Sequence, residues 1–72
     1  MKYYLVFPDS NNQLLVRGNE YDYLTFAKFD VEKNAWDNSD AFYWGDKILA
    51  SDFIDFDQIS EEMANEWISK QK

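Results

Sequence analysis

Fourteen carboxylates in 72 residues, with no histidine and no cysteine, limit the chemistry open to this chain. Without His or Cys, a hydroxyl nucleophile needs a lysine or a carboxylate as its base. Nothing in the sequence sets Ser10, Ser39, Ser51, Ser60 or Thr25 beside one. Disulfides, thiolate metal sites and cysteine redox chemistry are excluded. Paired carboxylates serve glycosidases and metal-dependent nucleases, but those enzymes also need a cleft, and a chain this short leaves little room for one. A calcium loop needs oxygen ligands at alternating positions, a central Gly and a closing Glu. Asp30, Glu32 and Asn34 begin that pattern, yet Ala35 stands where Gly is needed and Ala41 where Glu is needed. Asp52, Asp55 and Asp57 have the wrong spacing for it. Gly18 and Gly45 are the only glycines, so a phosphate-cradling loop is absent. The expectation is a protein without catalytic residues, metal or cofactor, whose carboxylates form a charged surface.

The acids are unevenly distributed. Residues 1–29 hold Asp9, Glu20 and Asp22 against Lys2, Arg17 and Lys28, a net charge of zero. Residues 30–66 hold eleven acids against Lys33 and Lys47, and the whole chain carries a net charge of −7. Direct binding to nucleic-acid phosphates is disfavoured, because like charges repel and no basic patch can release counterions. A basic protein is the matching partner, and a nucleic-acid-binding protein or nuclease is one such partner. The candidate partner-binding residues are Asp37, Asp40, Asp46, Asp52, Asp55, Asp57, Glu61, Glu62 and Glu66. Trp36, Phe42, Tyr43 and Trp44 crowd into the same half. Aromatics ringed by charge are the usual make-up of an interface centre and rim. Tyr43 and Trp44 are therefore expected to supply the desolvated centre.

That composition resembles the small phage-encoded inhibitors of restriction or CRISPR nucleases, which are short, acidic and free of Cys. The resemblance is one of composition and rests on no family motif. It implies a non-enzymatic nucleic-acid mimic that blocks a basic site. The same electrostatics suit an immunity or antitoxin protein that neutralises a basic toxin. A carboxylate-dependent hydrolase acting through Asp52, Asp55 and Asp57 is the third reading. No stretch approaches the roughly 20 apolar residues of a membrane span. The apolar run after Lys2 stops at Pro8-Asp9, too early for a signal peptide. Together with the lack of Cys, this predicts a soluble, cytoplasmic protein.

The elements that must position these residues form one small α+β domain. Lys2–Phe7 and Gln13–Arg17 alternate as strands around a turn at residues 8–12. Tyr23–Phe29 is aromatic and apolar on both parities, with Tyr23, Ala27 and Phe29 on one face and Leu24 and Phe26 on the other. It is expected at the centre of the sheet, covered on both sides. A tight turn over 30–34, with Asn34 in the left-handed region, leads to a return strand at 35–37. Residues 1–37 thus read as a neutral antiparallel meander of about four strands. Residues 38–59 read as an irregular acidic segment. Within it, a short helix runs from Asp40 to about Trp44 and ends at Gly45, and Asp52–Asp57 is extended at a sheet edge. Ser60 caps a C-terminal helix over 60–70, with Glu61 and Glu62 in its first turn and Lys70 and Lys72 near its end. Met63, Ala64, Trp67 and Ile68 form its apolar stripe, and it packs on one face of the sheet.

Overall fold

The computed structural model describes residues 1–71. Where apolar residues alternate, the chain forms strands: β1 (Lys2–Val6), β2 (Leu14–Asn19), β3 (Asp22–Asp30) and β4 (Ala35–Asp37). These pair antiparallel with their sequence neighbours, as the meander predicts. Asn34 closes the β3–β4 turn at φ 53°. A fifth strand, β5 (Phe56–Ile59), pairs antiparallel with the outer side of β1. The sheet order is β4-β3-β2-β1-β5. β2 therefore holds the centre, and the strand expected there, β3, lies one place from the edge.

Phe7 ends β1 at φ 55°, a conformation that costs a non-glycine residue about 1–2 kcal/mol. Two contacts offset it. Its N–H donates to the Asp55 carbonyl at 2.9 Å, and its ring meets Phe53 edge-on at 5.8 Å.

Side chains of a strand point alternately to the two sides of a sheet. Tyr4, Val6, Val16 and Phe26 project to one side and Tyr3, Leu15, Phe29 and Trp36 to the other. Both sides are covered, each by one helix. Helix α1 (Ala41–Leu49) brings Trp44 and Ile48 against the first set. Helix α2 (Glu61–Lys70) brings Ala64, with half-buried Trp67 and Ile68, against the second. The fold is α+β: a five-stranded antiparallel sheet between two helices.

The segment 38–59 is thus not irregular. Its buried residues Ala41, Trp44, Gly45 and Ile48 recur at the spacing of a helical stripe. Gly45 does not end the helix. It lies in the middle, where a Cβ would come within 2.9 Å of the Tyr23 Cα. The glycine lets α1 approach β3 closely, at the cost of helix propensity. Along β3 the expected parity breaks in one place. Arg17 faces Ala27 and Asn19 faces Asp22, so two steps on β2 span five on β3. This bulge places Phe26 over Gly18, turns Tyr23 towards α1 to meet the Phe42 ring at 5.6 Å, and leaves Leu24 exposed.

Helix α2 starts as its sequence predicts: the Ser60 Oγ accepts the Met63 N–H at 3.1 Å. Its apolar stripe is narrower than expected, because Met63 is exposed. Trp67 is half-buried, not enclosed; it meets Phe29 edge-on at 6.4 Å and donates from Nε1 to the Gln13 Oε1 at 3.0 Å. Lys70 lies in the last turn, and Lys72 falls outside the described residues. Among the described residues no helix is long and apolar enough to cross a membrane.

Candidate protein-docking surface

The candidate acids lie on surface positions throughout, but not on one surface. Asp37 ends β4 and Asp40 occupies the N-cap of α1. Asp52 and Asp55 lie in the connection from α1 to β5, Asp57 lies on β5, and Glu61, Glu62 and Glu66 lie on α2. β4 and β5 are the opposite edges of the sheet, four strand spacings or roughly 19 Å apart. Asp37 and Asp40 are therefore separated from Asp55 and Asp57, although they are close in sequence. The acids that the fold brings together are those leading into and along β5.

At the β4 edge, the carboxylate is engaged locally. Asp37 Oδ1 accepts the Ser39 N–H at 2.9 Å and orders the entry to α1. That hydrogen bond, then one from the Ser39 side chain, and weakly the charges of Lys33 and Lys28, hold the Asp37 carboxyl below its ordinary range. Asp40 makes no side-chain cap bond despite its position. Asp46 projects from the exposed side of α1.

The β5 region differs in kind. Asp52, Asp55 and Asp57 are all exposed, and no Lys or Arg occurs from residue 48 to residue 69. Phe53 and Phe56 turn inward, stacked on each other at 5.7 Å. That inward turn sends Ile54 outward, where it is 86% exposed between Asp52 and Asp55. Lys47, the nearest base in sequence, points its ammonium at aromatic rings, 4.3 Å from the centre of Phe53 and 5.4 Å from that of Tyr43. Among the described residues the one ion pair joins Lys2 and Glu20 at 4.0 Å, in the neutral half of the chain. Glu61 Oε2 accepts a hydrogen bond from the Tyr3 hydroxyl at 3.0 Å. Glu62 and Glu66 lie one turn apart on the outer side of α2.

Of the two aromatic residues expected at an interface, one is exposed. Tyr43 stands out at 55%, whereas Trp44 is 7% exposed and packs in the core with Phe26 and Ile48. Trp44 is withdrawn from the candidate surface. Phe42, from the same aromatic cluster, is exposed too, and so is Ile54, an apolar residue outside the sequence-based candidates. The sequence carries no signal for Ile54, which shares its strand parity with Phe56; the tight turn in which the Phe56 N–H donates to the Ile54 carbonyl breaks that alternation before β5.

Among the described residues no group of three His, Cys, Asp or Glu side chains converges to hold a metal ion. A depression of about 350 Å³ opens near the end of β5, between Lys2, Tyr3, Gln58 and Glu61. Exposed carboxylates without partners can attract and orient cationic side chains, through charge-assisted hydrogen bonds. Comparison with protein-family models, curated proteins and solved structures gives no match.

Proposed function

We propose that this protein is a small acidic, non-enzymatic binding module that docks on a basic protein through the segment running from Asp52 into β5. The observation that carries this reading is the state of the carboxylates there. Asp52, Asp55 and Asp57 are exposed, without ion-pair partners among the described residues, and they flank an exposed Ile54 in sequence. An apolar residue framed by unpaired charges has the composition of an interface centre and its rim. The charges steer a cationic partner into contact, and the apolar residue supplies area that charge alone does not. A protein whose basic groove ordinarily holds nucleic acid is the first partner class to test, because carboxylates on this module can occupy positions taken by phosphates. A nuclease blocked in this way is the specific form of the proposal.

The test is capture of basic nucleic-acid-binding proteins at low salt, followed by charge reversal in two sets. Changing Asp52, Asp55 and Asp57 to Lys is expected to weaken binding at least about tenfold more than changing Asp9, Glu20 and Asp22. Association should also slow steeply as salt rises. Equal effects of the two sets would mean that net charge, and not this segment, governs binding.

A further inference from the structure

Strand β5 is an edge of the sheet with its outer side unpaired. The ladder fixes which backbone groups face out. The Phe7 N–H donates to the Asp55 carbonyl, and the register sets Leu5 opposite Asp57 and Tyr3 opposite Ile59. Hydrogen-bonded pairs alternate along an antiparallel ladder, so Asp55, Asp57 and Ile59 spend their backbone groups on β1. Phe56 and Gln58 direct theirs away from the sheet. The Phe56 N–H is taken by the Ile54 carbonyl at 2.8 Å. The Phe56 carbonyl and the Gln58 N–H and carbonyl remain along the open edge.

We propose that this edge receives an extended basic segment of the partner as a sixth strand. The proposal rests on the reading of the protein as an acidic docking module, and specifies how it docks. Backbone hydrogen bonds to Phe56 and Gln58 would hold the incoming strand. Asp55 and Asp57 lie two residues apart on one side of β5, roughly 7 Å from each other. Lys or Arg side chains at alternate positions of an added strand match that spacing and face the carboxylates as cross-strand pairs. Ile54 meets an apolar side chain just beyond them.

Charge selects this occupant over a second copy of the chain. Antiparallel pairing of two β5 strands with Phe56 opposite Gln58 would set Asp57 of one copy opposite Asp57 of the other. It would also align two segments that carry no base, and like charges held opposite each other destabilise a sheet. Charge likewise selects this edge over β4. That strand has three residues, and Lys28 lies opposite Asp37 with Lys33 in the adjoining turn.

The test uses the full chain and a synthetic peptide, Lys-Thr-Lys-Val-Lys-Thr-Lys, at low salt. Control peptides carry N-methyl groups on alternate amides, in both phases, which keeps their charge and removes their strand-pairing donors. The unmodified peptide is expected to bind and to slow exchange of the Gln58 amide at least about tenfold, and one methylated phase to bind about tenfold more weakly. Gln58→Pro should lower binding of the unmodified peptide similarly with thermal unfolding unchanged, because its N–H faces outward from an edge strand. If that variant unfolds, the methylated peptides decide the matter on the native chain. Equal binding of all peptides, with Gln58 exchange unchanged and binding still lost on reversing Asp52, Asp55 and Asp57, overturns strand addition and leaves the docking reading standing. Binding that is indifferent to that reversal, or no binding of any peptide, overturns both. A doubled mass in solution with Gln58 already protected overturns the proposal in favour of self-pairing.

Discussion

The two sides of the sheet are covered unequally. On the α1 side, Val6, Val16 and Phe26 are fully buried, and Trp44 and Ile48 of the helix are nearly so. On the α2 side, Leu15 and Ala64 are fully buried, while Trp67, Ile68 and Trp36 are only partly covered. The helix with clear sequence signals is therefore the looser cover, and the one with ambiguous signals closes the deeper core. Capping and charge placement specify where a helix starts. They do not specify how much of it is buried, which depends on how closely the opposing sheet lets it approach.

Substitutions on the two helices test that contrast. The largest expected effect is from Trp44→Ala, which removes a buried aromatic at a cost of about 3–5 kcal/mol. A domain this short holds only about 4–11 kcal/mol in total, so the melting temperature should fall by about 15 °C or more. Trp67→Ala should cost less, about 2 kcal/mol, because that ring is half-exposed. Equal shifts for the two variants in thermal unfolding followed by circular dichroism would erase the contrast. Gly45→Ala sets a helix-propensity gain of about 1 kcal/mol against overpacking of about 1–3 kcal/mol where the new methyl meets β3. The expected net is a loss of about 1–2 kcal/mol, and a gain would show that α1 does not press on Tyr23. Ser60→Ala removes the α2 cap and should cost about 0.5–1 kcal/mol in denaturant unfolding.

The smallest effect concerns pH. The Asp37 carboxyl is held below its ordinary value of 3.8 by the Ser39 hydrogen bonds. A depressed carboxyl stabilises the fold fully above its unfolded value and loses that contribution as pH falls through the folded one. Asp37→Asn should therefore be less stable than the parent near neutrality, and the difference should narrow below about pH 4. A difference that stays constant down to about pH 2 would mean that the carboxylate's charge plays no part in ordering the entry to α1.

The sequence alone determined the meander over residues 2–37, the left-handed Asn34, the strand at 35–37 and the Ser60 cap. Each depends on a few neighbouring residues, through side-chain alternation, turn conformation or a bond spanning three positions. It also determined the charge asymmetry, which is a property of composition. Tertiary structure decided the rest. Gly45 was legible as a helix breaker only until the close approach of Tyr23 gave the missing Cβ a purpose. Trp44 and Tyr43 are adjacent and chemically alike, and only the position of the sheet beneath α1 decides which is buried. The acids form one run in sequence, but the chain crosses the sheet between β4 and β5 and carries them to opposite edges. Local chemistry is written in neighbouring residues, whereas burial and charge clustering depend on what distant segments bring to the same place.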